Sequence, residues 1–103
     1  MSYFVEFVRY RSDLTAADLV ELRAAALSAV RAAHPDLIDA PVLSQNEFGT
    51  WTDVWIYRTR TAADAANADA ANIPEFAAFA DALSGIEITT GRMPESAASP
   101  FSA

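Results

Sequence analysis

The chain has no cysteine and no lysine, and carries one histidine, three glycines and two methionines in 103 residues. Without cysteine there are no disulfides, thiolate zinc sites or cysteine nucleophiles. Without lysine there is no Schiff-base chemistry. A single histidine, His34, cannot build a catalytic triad or a multi-histidine metal site within one chain, so no metal is expected. Gly49, Gly85 and Gly91 are too few and too scattered for a phosphate-cradling loop, and no nucleotide or flavin fingerprint is present. Hydrophobic residues make up 52% of the chain, yet no apolar run approaches the roughly 20 residues that cross a bilayer. Membrane insertion is not expected. The opening Met1 to Phe7 has no basic region and enters a strand pattern at once, so a signal peptide is not expected and a cytoplasmic location is.

Positive charge is equally scarce. Seven arginines face fourteen carboxylates for a net charge of −7, and Arg9, Arg11, Arg23, Arg31, Arg58, Arg60 and Arg92 form no stripe. Nucleic acid is therefore not an expected partner. The acidic excess is accounted for by solubility alone.

What the chain does contain is a repeated unit. A strand-like run leads into Thr-Ala-Ala-Asp and an Ala-rich stretch, at Thr15 to Asp18 and again at Thr61 to Asp64. Thr three residues before an acid is a helix-start signature. Tyr3 to Tyr10 and Trp51 to Arg58 read as aromatic strands before the helices, and Ala40 to Glu47 and Gly85 to Gly91 as strands after them. The first helix spans Ala16 to Ala33, with Leu19, Leu22, Ala26 and Val30 at helical spacing and Arg23 assigned to the opposite side. His34 before Pro35 ends it and reads as a cap. The second spans Ala62 to Ala71, and Pro74 opens a short third that carries Phe76, Phe79 and Leu83 inward and is expected to close at Ser84-Gly85. Asn46 to Gly49 supplies a hairpin turn in which Gly49 is free to take positive φ.

The order βαββαβ predicts an α+β, ferredoxin-like domain over residues 1–93: a four-stranded antiparallel sheet with its helices on one face, followed by an irregular tail over 94–103. Alternation divides each strand between the faces. An apolar middle under helix cover assigns Val5, Phe7, Val54 and Ile56 to the helices. Phe4, Glu6, Val8, Tyr10, Trp51, Asp53, Trp55 and Tyr57 then fall on the open face, an aromatic patch that calls for a second subunit.

With these residues in view, the chain resembles the antibiotic biosynthesis monooxygenase-like proteins of the dimeric α+β barrel superfamily. The resemblance runs from about Tyr3 to Met93 and rests on the element order, on Gly49-Thr50-Trp51-Thr52-Asp53-Val54-Trp55, and on Pro74-Glu75-Phe76 with Phe79. It implies a homodimer enclosing a cavity for a small hydrophobic molecule, and no cofactor. Haem-degrading relatives place a ligand His on the second helix and an Asn on the first strand. This chain has neither there.

Glu6 and Asp53, near the centres of adjacent strands, are the candidate acid–base pair. Either can instead pair with an arginine such as Arg9 or Arg92. Trp51, Trp55, Tyr57, Phe4 and Tyr10 are the candidate substrate-binding residues, with core packing as their alternative role. Asn67 and Asn72 read as exposed helix or cap residues. The expected function is a cofactor-independent, monooxygenase-like enzyme, or an isomerase or cyclase, acting on a hydrophobic, polyketide-like substrate. The alternative is a non-catalytic small-molecule binder or a structural homodimer.

Overall fold

The computed structural model describes residues 2–97. Its elements run β1 (Ser2–Ser12), α1 (Ala16–Ala33), β2 (Leu37–Gln45), β3 (Trp51–Tyr57), α2 (Arg60–Asp69), a 3-10 turn (Ala70–Asn72), α3 (Pro74–Asp81) and β4 (Leu83–Pro94). The four strands form one antiparallel sheet in the order β2-β3-β1-β4, the expected ferredoxin-like arrangement. A further 3-10 turn, Glu95–Ala97, begins the tail, and the rest of the expected irregular segment lies outside the described residues. Among the described residues no helix is long and apolar enough to cross a membrane.

Local chemistry explains the boundaries. Thr15 caps α1 by accepting from the Asp18 N–H, and Pro74 occupies the first turn of α3, where its missing N–H costs nothing. The His34 N–H closes α1 on the Val30 carbonyl, and its ring lies 2.9 Å from Asp69, tying the ends of α1 and α2 together. The second cap sits earlier than the repeat suggests. Thr59, not Thr61, accepts from the Ala62 N–H, and α2 starts at Arg60. Gly49 takes φ 86° in the β2–β3 hairpin, as expected. Pro41 is tolerated in β2 because that strand is an edge and its pairing shifts register between Asp39 and Val42.

The two faces of the sheet are the reverse of the sequence expectation. Tyr10, Trp51, Trp55 and Tyr57 pack under the helices with Leu19, Ala26, Val30, Ala63, Ala66 and Phe79. Val5, Phe7, Val54 and Ile56 lie together on the helix-free face. Volume supplies the reason: the inner faces of α1 and α2 are rich in alanine and come close to the sheet, so the space between layers is filled by large side chains from the strands. Polar satisfaction supplies the rest, because partners from the helices meet both carboxylates on that face. The expectation of an apolar middle under the helices puts Trp51, Trp55 and Tyr57 at a subunit interface. They belong to the core of the single chain.

Candidate functional site

A cavity of about 250 Å³ opens between the sheet and the α2–α3 side of the helical layer. β1 contributes Glu6, Val8 and Tyr10, and β3 contributes Asp53, Trp55 and Tyr57. Strand alternation puts these on one face, and the register sets Glu6 opposite Trp55 and Val8 opposite Asp53. Asn67 of α2, Phe76 and Phe79 of α3, and Ile86 and Ile88 of β4 complete most of the wall. The rings hold each other edge to face, with centroids 6.2 Å apart for Trp55–Phe76 and 6.0 Å for both Phe76–Phe79 and Tyr10–Phe79. Such pairs contribute about 0.5–1.5 kcal/mol each beyond their burial, enough to keep the wall rigid.

The two carboxylates have different surroundings. Asp53 is fully buried. Arg23 grips it from α1, with Nε 3.0 Å from both carboxylate oxygens and Nη2 2.8 Å from Oδ1, while the Tyr10 hydroxyl donates to Oδ2 at 2.7 Å. Arg23 Nη2 also donates to the Ala40 carbonyl at 2.7 Å. A carboxylate so fully paired has few lone pairs left to meet a substrate. Burial, then the Asp53 charge, push the Tyr10 hydroxyl far above its usual range, so it remains a donor.

Among the described residues, Glu6 has no arginine or other cation as a hydrogen-bond partner. It is 6% exposed, and its Oε2 accepts from Asn67 Nδ2 at 2.8 Å. Burial raises its pKa; hydrogen bonds from Asn67 and Tyr57 pull it partly back, and nearby Asp64 pushes it up again. Tyr57 is in turn held protonated by burial and by the Glu6 charge. Glu6 thus combines proton affinity above that of an ordinary glutamate with a place on the cavity wall, the properties of a general base in an apolar pocket.

No family model matches the sequence, and no curated protein matches it in sequence. Solved structures do match. SnoaB, a cofactor-independent oxygenase from Streptomyces nogalater, is 16% identical with a TM-score of 0.64, covering 91% of this chain and 93% of that one. Rv0793 from Mycobacterium tuberculosis is 18% identical with a TM-score of 0.62, covering 87% and 93%. A NIPSNAP family protein of unknown function from Agrobacterium tumefaciens is 14% identical with a TM-score of 0.61, covering 96% and 93%. The fold is that of the antibiotic biosynthesis monooxygenase-like proteins. At these identities the likeness concerns architecture, and chemistry has to be argued from the side chains.

Of the residues singled out in the sequence, Glu6, Asp53, Trp55, Tyr57 and Tyr10 come together around the cavity. Phe4 and Trp51 pack in the core without lining it. Trp51 Nε1 is buried with no hydrogen-bond partner among the described residues. Arg23, expected on the outer side of α1, and Asn67, expected as an exposed helix residue, instead reach the two carboxylates. Both carried a signal: Arg23 stands four residues after Leu19 and three before Ala26, and Asn67 four after Ala63 and three before Ala70. Each is therefore on the inward stripe of its helix. A polar residue on such a stripe calls for a buried partner. Asn72 meets the helix-end expectation, donating to Asp69 at 3.3 Å.

Proposed function

We propose that this chain is a cofactor-independent small-molecule enzyme that binds a hydrophobic, polyketide-like substrate in the cavity and begins its reaction with proton abstraction by Glu6. The observation that carries the reading is a nearly buried glutamate, paired with no cation among the described residues, on the wall of an aromatic cavity. Removing a proton from an acidic C–H or O–H neutralises Glu6 and leaves the electron pair delocalised over the substrate. Returning that proton at another atom gives an isomerase. In the oxygenase outcome the carbanion reacts with O2; one oxygen atom becomes the new carbonyl oxygen of an oxidised methylene, and the other leaves as water with its two hydrogens. Asp53, clamped by Arg23 and Tyr10, has a supporting part: it fixes Tyr10 as a wall of the pocket. The apolar helix-free face supports a homodimer as the working assembly.

The test follows oxygen uptake and product formation with anthrone-like and quinol compounds. Glu6→Gln keeps the shape and removes the base, so turnover falls by about 10²–10⁴ with the fold intact. Asp53→Asn acts first on stability. Full turnover in Glu6→Gln removes the acid–base assignment. Saturable binding with no oxygen consumed and no isomer formed identifies a non-catalytic binder.

A further inference from the structure

Resting on the reading of this cavity as the functional site, we infer that it selects an uncharged aromatic hydroxyl compound, or the enol of a ketone, of about two fused rings, and rejects carboxylates, phosphates and ammonium ions of the same size.

Three observations carry this. The first is charge. Among the described residues, Glu6 and Asp53 are the only ionisable acids or bases on the wall besides the two tyrosines, and no Arg or His lines it. The nearest guanidinium, Arg23, is spent on Asp53 and on the Ala40 carbonyl. An anion entering the cavity meets a carboxylate across an apolar gap with nothing to neutralise it.

The second is the balance of donors and acceptors. Asn67 donates an amide N–H to Glu6 at 2.8 Å, and the Tyr57 hydroxyl belongs to a residue of the same cavity wall. The site thus offers one acceptor, the Glu6 carboxylate, beside two donor groups. A hydroxyl matches it: it donates to Glu6, and its oxygen accepts from Asn67 or Tyr57. An ammonium is drawn by the Glu6 charge, but it brings three donors and no acceptor, so against the cost of its own desolvation it leaves further hydrogens of its own and the site's donors unsatisfied.

The third is size. An apolar cavity of roughly 150 Å³ takes one benzene ring. The cavity here, at about 250 Å³, has room for a second fused ring and not for a fully enclosed third. Half-exposed Ile86 and Ile88 line the side of the cavity formed by β4, where a larger ligand has to project.

Calorimetric titration of the full chain with 2-naphthol, 2-naphthoate, 2-naphthylmethylamine, phenol and anthrone tests all three points. 2-Naphthol is expected to bind at least about tenfold more tightly than the carboxylate or the ammonium, and more tightly than phenol. Anthrone gains nothing over it. In Glu6→Gln the penalty on 2-naphthoate shrinks at least about tenfold, while 2-naphthol changes little because Gln keeps an acceptor oxygen. Asn67→Ala, at the rim of the cavity on α2, weakens 2-naphthol, while naphthalene, added as a probe without a hydroxyl, binds unchanged, which separates recognition from folding. Equal binding of naphthoate or the amine, an undiminished naphthoate penalty in Glu6→Gln, tighter binding of anthrone, or no binding of any probe overturns the inference. The same selectivity without turnover of any bound compound leaves it standing and removes the enzymatic reading instead. Turnover of a carboxylate substrate does the reverse.

Discussion

Burial sets the behaviour of Glu6, and its sign can be followed in stability as well as in activity. Its folded-state pKa lies above the unfolded value, mainly through desolvation. Between the two values the folded chain holds more protons than the unfolded one, so stability falls as pH rises through that window and the cost is complete above it. Glu6→Gln removes the titration. The variant is expected to melt above the wild type near neutral pH, with the gap closing on acidification below the ordinary glutamate range. A constant gap from pH 4 to 8 contradicts this. A residue that stabilises when replaced yet abolishes turnover is the signature of a strained functional group. Arg23 is the opposite case. Asp53 has no exposed surface, so Arg23→Ala strands a buried charge and should cost about 3–5 kcal/mol, read from the denaturant midpoint. Arg23→Lys cannot restore the fork that spans both oxygens and recovers only part of the loss.

At the scale of elements, the helices are unequal to the sheet in side-chain volume, and the fold uses the difference. Ala26 of α1 and Ala63 and Ala66 of α2 are buried against strand aromatics that fill the interlayer space. This keeps α2 close enough for Asn67 to reach Glu6. The helix depends on its start, since ten residues make a marginal helix without tertiary support. Thr59→Ala removes the side-chain cap and should cost about 1 kcal/mol. Thr61→Ala, at the position the repeat nominates, lies inside the helix and should be neutral or slightly stabilising, because alanine is the stronger helix former. Thermal melts of the two variants separate these assignments; an equal loss in both contradicts the cap geometry.

For the whole molecule, the helix-free face is the unfinished part. Phe7 is 41% exposed and Val42, opposite Val54 in the β2–β3 pairing, 40%, around Val5 and Ile56, which are buried. Gly91 leaves room for the Phe7 ring, since a Cβ there would meet it at 3.4 Å. The ring thus lies over β4 and extends the apolar surface across the sheet. A homodimer through this face is expected to bury about 1,600 Å² in total, the standard size of a stable interface. Sedimentation should show a dimer at micromolar concentration, and Phe7→Glu should shift it to monomer without loss of secondary structure. A wild-type monomer under these conditions rules out the assembly.

The chain alone determined its architecture, because that information is local. Two capped Ala-rich helices, four alternating strands and a Gly49 turn set the order βαββαβ, and chain connectivity turned the order into a sheet. Alternation also grouped Glu6, Tyr10, Asp53, Trp55 and Tyr57 on one face, as observed. Which face the helices cover was not legible, since alternation is symmetric and the choice depends on how closely two helices approach the sheet. Only the tertiary structure decided that Arg23 and Asn67, 30 and 61 residues away along the chain from their carboxylate partners, would divide the acids between them. A guanidinium at Asp53 makes that acid part of the scaffold. An amide and a hydroxyl at Glu6 leave it a base, because neutral donors orient a carboxylate without cancelling its charge.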